Sequence, residues 1–379
     1  MRILQVCAYL YPALQYGGPA KVVYDVSREL SKNHRVAVLT SDVWSRDRRI
    51  TSNERIVSSH NFKIIYSQNV INSIAYTHRF FTCFSMIFYF LRNRTKFDIV
   101  HIHDIFILPQ LCIAFFAEYF GLKVILSPHG ILDPIRLQKK SLSKSLLFKF
   151  LVYPIAIRAE KIIATSEKEK QDLIKLGFDR VVVVENCIPS TSVKASNHYS
   201  YLKSQKLTLL YIGKLHSQKG IIELLRAIVP YSDAIELILA GPDDGMEFAI
   251  KQFISKNKLP NVHLLGFVSD AEKAELFSLS DMFVYPSFAE GFSISILEAL
   301  QAGLPAIITT ACNFKMVETK RAGYIVPTSN LTAELSKVLH AVLFKREKLL
   351  PMKKNAIALV KNKYSIDKMA QQLHEIYEK

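Results

Sequence analysis

The sequence is short of several things, and each shortage excludes something. Its five cysteines, Cys7, Cys83, Cys112, Cys187 and Cys312, are scattered over 379 residues with no C-x-x-C pair. That pattern excludes a disulfide framework and a cysteine-based zinc motif, and it points to reduced thiols in a cytosolic compartment. No apolar run reaches the ~18 residues that a membrane-spanning helix needs. The best candidate, 80–91, is interrupted by Thr82 and Ser85. The opening MRILQVCAYLYP is too short and too broken to be expected to act as a secretion signal. Low-complexity tracts, short internal repeats and any signature for a lysine-linked pyridoxal cofactor are all missing.

Acidic side chains are scarce in one half only. Up to Lys206 there are 29 Lys and Arg against 15 Asp and Glu; beyond it the figures are 20 and 18. Nearly all of the net charge of +16 therefore sits on the first half. A basic face on one domain attracts polyanions, either nucleic acid or an anionic membrane surface.

What is present is a long alternation. The length suits two domains, and a hydrophobic content of 50% gives each a core. In the first half, strands are expected at RILQVC, RVAVLT, FKIIY, DIVHIH, KVILS, KIIAT and VVVVENCI. Helices are expected at 20–30, 79–93, 107–120 and 167–176, and a basic amphipathic segment at 139–158. The second half repeats the rhythm with TLLYIG, AIELILAG, NVHLLGF, FVY, PAIIT and GYIVP, then ends in three helical segments. Such alternation predicts two doubly wound α/β domains. The expected division is 1–190, a Ser-, Lys- and Asn-rich linker at 191–206, a second domain at 207–362, and a final helix at 363–379.

In open parallel sheets, ligands bind at the carboxyl ends of the strands. The unusual residues of both halves fall there. Gly17-Gly18 follows the first strand, His101-x-His103-Asp104 ends a later one, and His129-Gly130 another. In the second half, Gly213-Lys214, Gly241-Pro242-Asp243, Gly266-Phe267-Val268 and Glu290-Gly291 do the same. Two such edges facing each other would make an interdomain cleft.

The densest stretch is 283–303, FVYPSFAEGFSISILEALQAG. A buried strand is broken by Pro286-Ser287, turned by Glu290-Gly291, and followed by a helix expected from Ser293. Ala302-Gly303 and then Pro305 end that helix. A helix start offers unpaired amides and partial positive charge, which suits phosphate. Upstream, GKLHSQKG at 213–220 places Lys214 and Lys219 in a loop that opens another helix. Cations beside a helix start suit a diphosphate. The pair Asp243-Asp244 in GPDDG fits a turn and helix cap better than a metal site.

The pattern E-G-F-S-x-x-x-x-E-A-x-x-x-G-x-P, from Glu290 to Pro305, resembles the signature of the retaining glycosyltransferases of family 4. The resemblance spans nearly the whole chain and implies the GT-B fold, two Rossmann-like doubly wound domains facing across a cleft. It further implies a nucleoside diphosphate sugar as donor, UDP- or GDP-linked. Glu290 would hold hydroxyls of the donor sugar and Glu298 those of the ribose. Phe267 and Val268 would lie by the base, and Gly17 and Gly18 would let a loop approach the diphosphate. Gly213, Gly291, Phe292 and Ser293 belong to the same donor-binding set. His129 is the family's histidine beside donor sugar and acceptor; read from the residues alone, His103 and Asp104 are expected to support the acceptor or the loop. The family commonly has Arg where Lys214 stands; Lys keeps the charge but loses the bidentate fork.

Lys214, Lys219 and the amides near 291–293 can neutralise a departing diphosphate, so no obligate metal and no other cofactor is expected. The acceptor is expected to be a lipid-linked or growing surface polysaccharide or glycolipid, as in lipopolysaccharide or capsule synthesis. Lys139, Lys140, Lys144 and Lys149 interleave with Leu142, Leu146, Leu147, Phe150 and Leu151, the pattern of an interfacial helix on anionic lipid. Arg46, Arg48 and Arg49 add a second basic loop. The chain is thus expected on the cytoplasmic face of the inner membrane as a peripheral protein, with no nucleic-acid partner. Two other readings stay open: a nucleotide-sugar epimerase of the same fold, acting without an acceptor, and a basic nucleic-acid-binding protein.

Overall fold

Runs such as Ile3-Leu4-Gln5-Val6 are buried on both faces. Such runs suit parallel strands covered by helices on both sides. The computed structural model describes all residues except 14–17, 55–58, 79, 133–145 and 191–193. The chain divides into two units, Met1–Pro189 with Ile366–Lys379, and Ser190–Ser365.

The first unit holds seven parallel strands among the described residues: β1 (Arg2–Val6), β2 (Arg35–Ser41), β3 (Phe62–Ser67), β4 (Ile99–His103), β5 (Lys123–Ser127), β6 (Lys161–Ala164) and β7 (Val181–Val183). Their order is β3-β2-β1-β4-β5-β6-β7. The second unit holds β8 (Leu207–Ile212), β9 (Ile235–Ala240), β10 (Val262–Gly266), β11 (Met282–Tyr285), β12 (Ala306–Thr309) and β13 (Gly323–Val326), in the order β10-β9-β8-β11-β12-β13. Both are doubly wound α/β sheets. Strand order reverses between β1 and β4 in one and between β8 and β11 in the other, and ligands favour these switch points.

Helix Pro19–Leu30 buries Ala20, Val22, Val23, Val26 and Leu30, one stripe at three- and four-residue steps. That helix packs against Ile366–Glu378, which leaves the second unit behind and joins the first. The joining helix buries Met369, Ala370, Leu373 and Tyr377. Its start is pinned by the Ile366 amide to the Ile188 carbonyl at 3.1 Å, and its end by Lys123 Nζ to the Tyr377 carbonyl at 3.1 Å.

Three expectations need correction. The single helix over 79–93 is absent; helices run instead at Asn72–His78 and Ser85–Asn93. The cause is Thr82. Its hydroxyl accepts from the amides of Val70 and Ile71 at 3.0 and 3.1 Å, and its own amide donates to Asn69 Oδ1 at 2.7 Å. Side-chain to backbone bonds of this kind compete with a helix. The strand expected across 181–188 stops at Val183. The linker expected at 191–206 is docked on the second unit wherever it is described. Glu275, on helix Asp270–Leu279, accepts from the amides of His198 and Tyr199 at 2.9 and 2.8 Å and from the Ser196 hydroxyl. Tyr199 and Leu202 are buried. Burial works against the charge of Glu275, but these hydrogen bonds outweigh it and hold its pKa below the usual range.

Replacing Glu275 by Ala leaves two amides and a hydroxyl without their acceptor. The Glu275→Ala protein is expected to melt several degrees lower and to be nicked by protease at 194–206. A variant as resistant as the wild type would show that this carboxylate is not what holds the segment.

Candidate functional site

In the second unit the loops after β8 and β11 meet at the switch point. Gly220 carries φ +65°, and a Cβ there would stand 2.1 Å from the Pro286 carbonyl oxygen, so the two loops touch backbone to backbone. Only glycine permits both the left-handed φ and the approach. The contact is tied by the Phe288 amide to the Gln218 carbonyl at 2.7 Å and by the Ser287 hydroxyl to the same oxygen at 3.2 Å. Gly213 begins the first loop over a tyrosine pair: a Cβ there would meet the Tyr211 hydroxyl at 2.8 Å and the Tyr285 ring at 3.1 Å.

Lys219 from the first loop is ion-paired with Glu290 Oε1 from the second. Tyr285 donates its hydroxyl to the same oxygen at 3.0 Å, and its ring lies 5.3 Å beneath the Lys219 ammonium. Tyr211 stacks on Tyr285 with centroids 5.5 Å apart and donates to the Lys214 carbonyl at 2.9 Å. Burial, and then the negative charge of Glu290, push both phenols well above their ordinary pKa, so both stay protonated donors. The backbone of Glu290 is held as firmly as its side chain. Its amide donates to the Ala311 carbonyl at 3.2 Å, and its carbonyl accepts from Asn313 Nδ2 at 2.8 Å.

Helix Ile294–Gln301 follows at once. It buries Ile294, Ile296, Leu297, Ala299 and Leu300, and Ser293 is its N-cap residue with no side-chain cap bond. Phe292 turns inward, packed on Phe314 and Tyr364 with centroids 5.0 and 5.6 Å apart. Its side chain is core, so only its backbone is placed to meet a ligand. Glu298 is not on a solvated face: it pairs with Lys273 at 2.7 Å, and Lys273 also reaches Asp270 at 3.2 Å. Burial opposes the charge on Lys273, but the two carboxylates prevail and hold its pKa above the ordinary value. At the end of β10, Phe267 is about half exposed and Val268 is buried. Asp243 caps the helix Glu247–Asn257, its Oδ1 accepting from the amides of Gly245, Met246 and Glu247 at 3.0, 2.9 and 2.9 Å. The bonds to those amides, that of Glu247 foremost, lower its pKa.

The first unit builds an uncharged counterpart at the ends of β4 and β5. His103 Nδ1 lies 3.0 Å from His129 Nε2, and His103 Nε2 lies 2.7 Å from Gln5 Oε1. Next to them, His101 touches the Tyr377 hydroxyl through Nδ1 and the Ser127 hydroxyl through Nε2, each at 2.7 Å. His129 sits at φ +53° and Asp104 at +71°. Asp104 Oδ1 accepts from the Phe106 amide at 3.1 Å, which shapes the loop. The amide of Gly130 donates to Glu169 Oε1 at 2.6 Å, anchoring the turn beside His129. Burial lowers all three imidazoles: His101 to about 3, His129 to about 4, and His103 well below its ordinary value.

The structure therefore brings together Glu290, Lys219, Gly213 and the Lys214 backbone in one unit, and His103 with His129 in the other. Gly17 lies outside the described residues; Gly18 is the N-cap of helix Pro19–Leu30. Lys139, Lys140, Lys144 and Leu142 also lie outside them. Beyond these, Leu146, Phe150 and Leu151 are exposed, while Phe148 packs on Phe106 and Tyr153. Arg49 is bound to Asp42 at 3.1 Å, and Arg48 stacks on Trp44. Sequence reasoning missed Tyr285, Tyr211, Lys273, Gln5 and Tyr377. Only Tyr285 carried a signal, as an aromatic at a strand end five residues before Glu290. Among the described residues no group of three His, Cys, Asp or Glu is placed to hold a metal, and no helix is long and apolar enough to cross a membrane.

Two family profiles match the chain: glycosyl transferases group 1 over residues 194–359, and glycosyltransferase family 4 over residues 16–191. The chain is 26% identical over 354 residues to the GDP-mannose:cellobiosyl-diphosphopolyprenol alpha-mannosyltransferase of Xanthomonas campestris, covering 89% of this chain and 86% of that one. It is 27% identical to the O-antigen chain mannosyltransferase B of Escherichia coli over 224 residues, 55% of this chain and 56% of that protein. Among solved structures, sucrose-phosphate synthase from Thermosynechococcus elongatus superposes with a TM-score of 0.80 at 17% identity, covering 100% and 98% of the two chains. Anabaena HepE in complex with UDP and glucose superposes with a TM-score of 0.77 at 18% identity, covering 99% and 98%.

The buried histidines make the fold acid-sensitive. Between their ordinary pKa near 6.5 and the lowered values, the unfolded chain binds protons that the folded chain does not. Stability is therefore present above pH 6.5 and falls on acidification, by up to about 1.4 kcal/mol per histidine per pH unit. The carboxylates with lowered pKa act below this window, and Glu118, which burial raises to about 7, offsets part of the loss within it. Urea unfolding at pH 7, 6 and 5 should show the loss, and His101→Gln should flatten its slope. A wild-type stability constant over that range would contradict buried neutral rings.

Proposed function

The chain belongs to the family 4 glycosyltransferases with the GT-B fold, and on that premise we propose that it moves a hexose-type sugar from a nucleoside diphosphate sugar to a lipid-linked or growing surface glycan. The observation that carries the proposal is the cluster of Lys219, Glu290 and Tyr285 at the switch point of the second sheet. Both Lys219 and Tyr285 bind Glu290 Oε1. That fixes the carboxylate, which takes hydroxyls of the donor sugar. Breaking the sugar–phosphate bond places negative charge on the departing diphosphate. Lys214, Lys219 and the amides at 291–293, where Ser293 caps nothing with its side chain, are the positive groups that receive it. The proposed chemistry needs no obligate metal. Glu298, aligned by Lys273, takes the ribose hydroxyls, with Phe267 and Val268 by the base.

Transfer proceeds with retention. The acceptor oxygen attacks the anomeric carbon on the face that the phosphate leaves, the carbon–phosphate oxygen bond breaks, and the acceptor proton passes to a phosphate oxygen. His129 from the first unit serves a substrate hydroxyl. Two relatives are named as mannosyltransferases, which makes GDP-mannose the first donor to try, beside UDP- and ADP-sugars. The acceptor is membrane-borne, and the protein attaches peripherally to an anionic cytoplasmic leaflet through basic and apolar residues of the first unit, including Lys149, Phe150 and Leu151.

A melting panel with GDP-, UDP- and ADP-sugars should single out one base, since a ligand of the folded state raises the melting temperature by mass action. With that donor, Lys219→Ala and Glu290→Ala should each lower kcat by about 10²–10³, as removal of one transition-state contact does. Full activity in EDTA with a soluble acceptor is expected, and the product should keep the donor's anomeric configuration by proton NMR. Lost turnover in EDTA, or an inverted product, would overturn those parts. In flotation assays the protein should follow vesicles containing anionic lipid and ignore neutral ones; indifference to lipid charge would remove the membrane contact.

A further inference from the structure

We infer that Tyr377, on the last helix, and Gln5, on β1, are positioning residues that decide which nitrogen of His129 carries its proton. The route runs from Tyr377 to Gln5, to His103, to His129. Each neutral imidazole has one N–H and one lone pair, so one fixed end sets every bond along such a chain. Gln5 Nε2 donates to the Tyr377 hydroxyl at 3.1 Å, and the amide oxygen faces His103. That oxygen can only accept, so His103 Nε2, 2.7 Å away, bears the hydrogen. His103 Nδ1 is then a lone pair, and His129 Nε2, 3.0 Å from it, must donate. What remains on His129 is a bare Nδ1. It is buried and finds no partner among the described residues.

The other arm closes consistently. Having accepted from Gln5, the Tyr377 hydroxyl gives its own proton to His101 Nδ1, and His101 Nε2 donates to Ser127. The Ser127 arm ends there and has no bearing on His129 except through Tyr377. Burial keeps the rings neutral, so the pattern is not scrambled by a second proton. A buried acceptor without a donor is costly until something supplies one. His129 is thus made ready to accept a hydrogen bond from a hydroxyl group, not to donate one. In its meaning for catalysis this rests on the role proposed above for His129; in its test it does not.

The test is a long-range proton–nitrogen spectrum of the full chain labelled with ¹⁵N-histidine, at neutral pH and without substrate. Wild-type His129 is expected as a single tautomer, protonated at Nε2 and bare at Nδ1. Tyr377→Phe keeps the ring and removes the anchor of the Gln5 amide, so His129 should become a mixture of both tautomers. Ser127→Ala should move the signals of His101 and leave the tautomer of His129 as it was. Gln5→Met, which removes both amide contacts, serves if Tyr377→Phe does not fold. A wild-type His129 protonated at Nδ1, or one indifferent to both Tyr377→Phe and Gln5→Met, overturns the inference. Since no sugar is present, a protein with the expected tautomer that transfers nothing refutes the proposed function alone.

Discussion

The ion pair between Lys219 and Glu290 is what the loops at the switch point of the second sheet depend on. Each partner stands on a different loop, and each loop leaves a different strand on either side of the point where sheet order reverses. Taking two charges out of water costs several kcal/mol each, and only good geometry with further hydrogen bonds offsets it. The surroundings supply that geometry. Tyr285 donates to the carboxylate and lies under the ammonium, Asn313 and Ala311 hold the Glu290 backbone, and Gly220 brings the loops into touch. The tyrosine pair beneath is packed so tightly that position 213 has no room for a side chain. Placement of charge thus follows from packing of apolar rings.

The first unit solves a different problem by different means. Its strand ends carry three imidazoles that burial keeps neutral, joined by bonds of 2.7 to 3.1 Å through an amide and a phenol. One unit offers fixed charge, the other directional hydrogen bonds whose sense is set at a distance. Both put their polar groups at the carboxyl ends of parallel strands, where the backbone leaves the sheet and side chains escape its apolar cover.

Much of this was legible in the residues. Alternating apolar runs and helical stripes gave the two wound sheets, because a strand buried on both faces admits little but Val, Ile and Leu. The helix after Ser293 buries the five residues its spacing indicates. The turn at Asp243 was readable as a cap, since a carboxylate in a glycine turn meets amides nearby. What escaped was set by contacts distant in sequence. Thr82 splits a helix through Asn69 and Val70, Glu275 fastens a stretch with a linker's composition, and Phe292 turns into the core. Tyr377 lies 276 residues from His101, and no local pattern could have joined them.

The helix Ile366–Glu378 returns to the first unit after the whole second unit has been spelled out. On a ribosome that order has a price in time. The histidines of the first sheet wait for a phenol that is made only after the second sheet. The proton pattern at this end of the first unit is thus completed by a segment far along the chain from the strands that carry the histidines.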